Sequence, residues 1–281
     1  AIINVINILF AYLLIFGNLG FPKLGPIGSA VATTIARGVG AVLMLYVLFR
    51  RGSVLKLPFR GGWTIHRDVA RRILGVGGPA AVEQIIFQLG LLVFNVITVS
   101  FGTDALAAQQ IAFNISNFSI LPAFAFGVAA TTMVGQNLGA KDPDRAEASA
   151  WQSLKGSMIW MSLMGVAFLL GRRLLVSLYT NDPTVQRLGE MCMVFIACTQ
   201  PMQSVSMVVA SALRGAGDTR STMVVTSVSV WVVRVGLGYL IGIVLGVGFI
   251  GVWIAWVADF TTRAVLIYLR FRSGRWKILR V

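Results

Sequence analysis

Residues 249–274 read FIGVWIAWVADFTTRAVLIYLRFRSG, an apolar run that ends in a basic, glycine-terminated segment. As a helix, this run is long enough to cross the roughly 30 Å hydrocarbon core of a bilayer. Residues 27–52 have the same arrangement: Ile27-Gly28 corresponds to Ile250-Gly251, and residues 46–52 and 268–274 share Tyr, Phe, Arg and Gly in the same order. This predicts an internal repeat of roughly 220 residues, although unrelated apolar segments also resemble one another.

The composition excludes a soluble globular domain. Mean hydropathy is +0.81, 57% of residues are apolar and 12% are charged, whereas soluble domains carry roughly 25% charged residues. The apolar runs are long and do not alternate with polar residues, which favours membrane helices over barrel strands. The sequence predicts eight such helices, at about 2–19, 27–49, 74–100, 105–135, 149–171, 186–211, 221–244 and 249–270.

The net charge of +14 reflects membrane topology rather than nucleic-acid binding. Only Lys23, Arg172, Arg173 and Arg187 fall in the loops of one side. The loops and tail of the other side hold Arg50, Arg51, Lys56, Arg60, Arg67, Arg71, Arg72, Lys141, Arg145, Arg214, Arg220, Arg270, Arg272, Arg275, Lys277 and Arg280. By the positive-inside rule the basic side is cytoplasmic. We therefore expect a multi-pass protein of the cell (inner or plasma) membrane, with a cytoplasmic C-terminus and no nucleic-acid partner.

The repeat also predicts how the chain is divided. Its second copy covers residues 53–281, and its first copy contributes only residues 1–52, so we expect about 170 further residues before Ala1. Residues 53–73 contain Pro58, two glycines and several arginines, which indicates a cytoplasmic linker between the copies. A single histidine, His66, makes a multi-histidine metal site unavailable.

Two acidic residues, Glu83 and Asp259, are predicted to lie deep in the membrane, where carboxylates are costly. Arg263 follows Asp259 by one helical turn, so a structural ion pair explains Asp259. Glu83 has no such local partner and follows Pro79 by four residues, on the same helix face. We expect Glu83 to exchange a proton or Na⁺; the alternative is a packing role bonded to a polar neighbour.

Polar and aromatic residues on the predicted helices suggest a ligand cavity. Amides accept varied hydrogen bonds, and Met with Phe gives adaptable apolar contacts. The alternative for each amide is a bond between helices. The candidate cavity residues are Phe87, Gln88, Gln110, Asn114, Asn117, Gln203 and Met207.

Four segments resemble the multidrug and toxic compound extrusion (MATE) family of transporters. Residues 212–219 read ALRGAGDT and resemble its Leu-Arg-Gly-x-Gly-Asp-Thr loop, whose signature residues are here Arg214, Gly215, Gly217 and Asp218. Residues 102–111 (GTDALAAQQI), 135–140 (GQNLGA) and 271–276 (FRSGRW) resemble further family motifs, in the family's order. The Pro79–Glu83 spacing also fits many bacterial members.

The resemblance implies an all-α, two-lobe membrane protein with twelve helices, of which this chain holds eight. Residues 1–52 would be the last two helices of the N-terminal lobe, 53–73 the linker, and 74–281 the C-terminal six-helix lobe. The resemblance implies that the protein is not an enzyme and has no cofactor. It implies export of organic cations or amphiphilic drugs in exchange for H⁺ or Na⁺, by alternating access of the two lobes. It also implies that the full-length protein is a monomer.

The sequence departs from the family's pattern at two positions. Some members have a cation-binding Glu where this chain has Phe87, and several have an Asp where it has Gln203, so an Na⁺ site of that kind is in doubt. One alternative is a related flippase for lipid-linked saccharides, which a cavity lined by Arg37, Arg234 or Lys155 would favour. Another is a membrane scaffold or a fragment with no transport of its own.

Overall fold

The computed structural model describes residues 2–49 and 66–278, and these divide into two compact units, Ala1–Ile65 and His66–Val281. Within the described ranges the structure is helical, and it contains no strand. The all-α fold predicted from the apolar runs is therefore confirmed. Of the linker, residues 53–65 lie outside the described residues, as does the Arg50–Gly52 end of the first repeat copy.

The first unit is a helical hairpin. Its helices are α1 (Ile2–Phe16) and α2 (Pro26–Phe49), joined by a short 3₁₀ turn at Asn18–Gly20. A Cβ on Gly28 would lie 2.6 Å from the carbonyl oxygen of Leu14, so only glycine permits this approach of α2 to α1. At 15 residues α1 is shorter than the 2–19 span that we predicted.

The second unit contains six helices of membrane-spanning length: α3 (Arg67–Val99), α4 (Thr103–Gly139), α5 (Pro143–Ser177), α6 (Pro183–Gly215), α7 (Thr219–Val228, extended to Val244) and α8 (Phe249–Arg272). A 3₁₀ turn at Arg275–Ile278 follows. Together with α2, seven described helices are long and apolar enough to cross a membrane. Helix α3 begins at Arg67, so residues 67–73 form its first turns.

The helix starts follow from local sequence. Asp142 and Asp182 precede α5 and α6, each followed by proline, which suits the first helical position because it lacks an N–H. The Asp142 carboxylate accepts from the amide of Arg145, and that of Asp182 accepts from the amides of Thr184 and Val185. These side chains satisfy amides that the helix itself leaves unpaired.

Helix α6 is central and packs against α4, α5 and α8, whereas α3 packs mainly against α7. One apolar core surrounds the α3–α4, α5–α6 and α7–α8 turns and includes Trp253 and Phe94. A second surrounds the α4–α5 and α6–α7 turns and includes Leu213 and Trp276.

Helix α7 is not a regular α-helix. It continues as a π-helix over Ser229–Leu237 and again over Leu240–Val244. In an α-helix, residues five apart point about 140° away from each other. In a π-helix they lie about one turn apart, which places Ser229 and Arg234 on one face.

Candidate functional site

A cavity of about 330 Å³ opens within the second unit, between α3, α4, α6, α7 and α8. Its apolar wall includes two phenylalanines and Met207, and its polar wall includes one carboxylate and two guanidinium groups. The lining residues are Glu83, Gln84, Phe87, Ile120, Gln203, Ser206, Met207, Ala210, Arg214, Thr226, Phe260, Arg263 and Ile267.

Glu83 joins three helices at one side of this cavity. Its Oε1 accepts from Arg214 Nη1 at 3.3 Å and from Thr226 Oγ1 at 3.0 Å, while Oε2 accepts from Thr222 Oγ1 at 3.0 Å. The two threonines are four residues apart on α7 and therefore share a face. The side chain of Glu83 is 12% exposed and that of Arg214 is 33% exposed. The cluster is thus only partly enclosed.

Asp259 forms a second, buried cluster behind the cavity wall. Arg263 Nη2 lies 2.9 Å from Oδ1 and 3.0 Å from Oδ2, and Arg234 Nε lies 2.9 Å from Oδ2. Ser229 Oγ and Arg234 Nη2 also donate to this carboxylate. The side chains of Asp259 and Arg234 are both 0% exposed. The i,i+4 partner expected from the sequence is present, but a second arginine, from the π-helical segment, shares the carboxylate.

Aromatic rings surround the two arginines of this cluster. The guanidinium carbons of Arg234 and Arg263 lie 5.3 and 5.5 Å from the Phe87 ring centroid, and 5.5 and 5.3 Å from that of Phe260. Arg234 also lies 4.3 Å from a Trp256 ring. Such contacts stabilise cations held away from water.

The loop signature residues have distinct structural positions. Arg214 binds Glu83, and a Cβ on Gly215 would lie 2.4 Å from the carbonyl oxygen of Thr131 on α4. Gly217 has φ of +83°, a conformation that favours glycine. Asp218 immediately precedes α7, at a position where a carboxylate commonly caps the helix. It occupies the cap position but makes no capping bond; its Oδ2 accepts from Arg270 Nε at 2.7 Å.

The structure brings some of the predicted cavity residues together and not others. Glu83, Phe87, Gln203 and Met207 line the cavity. Four others do not line it and are exposed on α3 and α4, where their role stays a prediction: Gln88, Gln110, Asn114 and Asn117.

Gln109, the neighbour of Gln110, was not among the polar residues predicted to be functional. Its Oε1 accepts from Thr98 at 2.6 Å and its Nε2 donates to Asn95 at 2.6 Å, so it joins α3 to α4 in a buried network. The buried face of α4 contains Ala105, Ala108 and Ala112. Gln109 falls on the same face by helical spacing, so this periodicity predicts that Gln109 is buried in the helix bundle.

Of the basic residues named for a flippase, the two in the second unit, Lys155 and Arg234, do not line the cavity. Arg37 and Lys155 are exposed, and Arg234 lies behind the wall in the Asp259 cluster. The cavity's two basic groups, Arg214 and Arg263, are each paired with a carboxylate. Within the second unit, Lys155 and Arg234 therefore do not supply the cavity lining that would favour a flippase.

A bundle of apolar helices with buried ion pairs and an internal cavity defines a multi-pass membrane protein. Residues 79–240 match the MatE family model, and the chain belongs to this family. The chain is 32% identical over 279 residues to a probable multidrug resistance protein NorM of Thermotoga maritima, covering 98% of this chain and 59% of that protein. It is 30% identical over 273 residues to the multidrug resistance protein MdtK of Yersinia pseudotuberculosis, covering 95% of this chain and 60% of that one.

Solved structures show the same fold. An outward-facing multidrug resistance MATE family transporter of the MOP superfamily superposes with a TM-score of 0.87 at 20% identity, covering 99% of this chain and 62% of that one. A MATE crystal structure in the straight conformation gives a TM-score of 0.88 at 21% identity, covering 99% and 62%. The MATE fold expected from the motifs is confirmed. The chain spans 59% and 60% of the length of the two relatives named above.

Proposed function

We propose that the whole protein exports amphiphilic compounds across the cell membrane, by exchange for an inward-moving cation, and that Glu83 binds that cation. Family membership and the multidrug resistance relatives support export. The observation that carries the role of Glu83 is its position: a partly exposed carboxylate beside the cavity, shared by α3, α6 and α7. One charge crossing 100 mV supplies about 2.3 kcal/mol, enough for roughly fifty-fold accumulation.

The surroundings of Glu83 favour a proton over Na⁺. A hard metal cation needs several oxygen ligands with free lone pairs. Here the hydrogen-bond partners of Glu83 are two threonine hydroxyls and Arg214, and Arg214 already places a positive charge 3.3 Å from Oε1, where a metal ion would have to displace it. A proton needs only one carboxylate oxygen.

Proton binding would change the packing of three helices. A protonated Glu83 no longer forms an ion pair with Arg214, so the end of α6 loses its contact with α3. Arg214 immediately precedes the glycine that touches α4 and the turn into α7. Movement of this turn couples ion binding to a change in the shape of the cavity, which is the step that alternating access requires.

Transport by the intact protein in proteoliposomes tests the proposal. An imposed pH gradient should drive export of a fluorescent amphiphile by the wild type, and Glu83→Gln should reduce the rate by at least about tenfold, because the amide cannot exchange a proton. Glu190→Gln is the matched control, since Glu190 on α6 does not line the cavity. Unchanged transport by Glu83→Gln would remove Glu83 from the mechanism. Export driven by Na⁺ alone would overturn the choice of a proton.

A further inference from the structure

Among the described residues of the second unit, the cavity offers a cationic ligand no free partner. Both oxygens of Glu83 are engaged by Arg214, Thr222 and Thr226. Asp259 is completely buried and holds two arginines. The rings of Phe87 and Phe260 each have two guanidinium groups within 5.5 Å of their centroids. An organic cation would have to displace an arginine from either kind of site.

The same cavity offers an anion free donors. Arg263 uses only Nη2 to bind Asp259; Nη1 has no hydrogen-bond partner among residues 2–49 and 66–278, and Nε is buried without one. Arg214 is one-third exposed. The guanidinium group presents five N–H donors in a fixed planar arrangement that suits carboxylate, sulfonate and phosphate oxygens.

The charge balance points the same way. Of the charged residues that line the cavity, one is acidic, Glu83, and two are basic, Arg214 and Arg263. Adding the buried pair behind the wall, Asp259 and Arg234, leaves three arginines against two carboxylates. The site therefore carries one surplus positive charge in a region of low dielectric, where a ligand of opposite charge is favoured.

We infer that this cavity binds the anionic group of an amphiphilic aromatic ligand, with the anion at Arg263 and Arg214 and the apolar body against Phe87, Phe260 and Met207. This names the substrate class of the proposed export function and rests on that function for the ligand's being a substrate. Because protonation of Glu83 would make the cavity more positive, the proposed exchange then requires that the change in cavity shape, and not the charge, releases the ligand. Ligand binding can be measured without transport, so an experiment can contradict the anion site without contradicting export, and the reverse.

A pair of ligands that differ in charge sign provides the test. Naphthalene-2-sulfonate and 2-naphthylmethylammonium share the aromatic body and carry opposite charges. Titrated by calorimetry into the purified intact protein in detergent, the sulfonate should bind at least about tenfold more tightly. Equal or tighter binding of the ammonium compound would overturn the inference, even if drug export is intact. Loss of export with the sulfonate preference retained would contradict only the proposed function.

Three variants test whether the ligand binds in this cavity. Glu83→Gln removes the one carboxylate that lines the cavity among the described residues, so the sulfonate should bind about three- to tenfold more tightly; weaker binding would contradict an anion site. Arg263→Gln should weaken sulfonate binding by about tenfold or more. Because Arg263→Gln also disturbs the Asp259 cluster, Met207→Trp gives an independent check: it fills the cavity and should abolish binding. Unchanged binding in Met207→Trp would place the ligand elsewhere.

The anion could belong to a soluble compound or to a lipid headgroup, and nanodiscs of defined composition distinguish them. In phosphatidylcholine discs the sulfonate preference should persist. Weaker sulfonate binding when phosphatidylglycerol is added would assign the site to a lipid phosphate. Unchanged binding would assign it to a soluble amphiphile. Loss of the sulfonate preference in phosphatidylcholine discs would overturn the inference for both sources.

Discussion

The Glu83 and Asp259 clusters use the same chemistry in opposite surroundings. Glu83 binds one arginine and two threonines beside a cavity, and its side chain is 12% exposed. Asp259 binds two arginines and a serine with no exposure at all. A carboxylate that exchanges an ion needs access to water and a bonding partner that can dissociate from it. A wholly buried ion pair has neither. The contrast supports the proposed exchange at Glu83 and favours a structural role for Asp259.

Asp259→Asn should have the largest effect on stability. It leaves two buried arginines without a carboxylate, and breaking a buried ion pair typically costs about 3–5 kcal/mol. Thermal unfolding of the purified intact protein in detergent should show a large fall in Tm. Asp104→Asn is the control, because Asp104 is exposed at the start of α4. Equal Tm changes for the two variants would mean that the buried cluster contributes little.

Gly215→Ala should disturb the Glu83 cluster and spare the other. The added Cβ would lie 2.4 Å from the Thr131 carbonyl oxygen, and backbone atoms cannot yield as a flexible side chain can. Overpacking of this kind costs about 1–3 kcal/mol and should move Arg214 away from Glu83. Gly139→Ala is the matched control, since nothing lies within 4 Å of its Cβ position. Both variants are compared by Tm and by transport rate.

Thr226→Val should have a smaller effect on Tm. It replaces the hydroxyl that donates to Glu83 Oε1 with a methyl group of similar size, and one hydrogen bond contributes about 1 kcal/mol. Thr261→Val serves for comparison, because the Thr261 hydroxyl binds only a carbonyl of its own helix. If exchange depends on how Glu83 is held, Thr226→Val changes the pH dependence of transport and Thr261→Val does not. The same pH profile in both would argue against such a role.

Lys277→Met tests an ion pair at the surface, where the effect should be smallest. Lys277 Nζ lies 2.5 Å from Glu147 Oε2 and 3.5 Å from Asp144 Oδ1, and exposed pairs contribute below about 1 kcal/mol. The hydrogen bond to Glu147 raises the pKa of Lys277. The stabilisation is therefore present below the ordinary lysine pKa of about 10.4 and is lost as pH rises through the higher folded value. A Tm loss that matches Asp259→Asn would refute the ranking by burial.

The sequence predicted more of the fold than of the site. Apolar runs, N-terminal caps and prolines act within one helix, so the helices of the second unit fall close to their predicted positions. Glu83, Phe87, Gln203 and Met207 were selected from the sequence and do line one cavity. The sequence predicts a polar face of α4 that includes Gln110, whereas the buried amide is that of Gln109, which lies on the apolar face of this helix.

By itself, the sequence determined that this protein is a bundle of membrane helices with two deep carboxylates, because hydrophobic length and the cost of burying charge are local properties. Only the tertiary structure decided what those carboxylates do. Arg214 and the two threonines are more than 130 positions from Glu83 along the chain. Arg234 reaches Asp259 from a π-helical segment that interrupts the 3.6-residue period. Partners this distant are set by how helices pack, which no pattern within a single helix specifies.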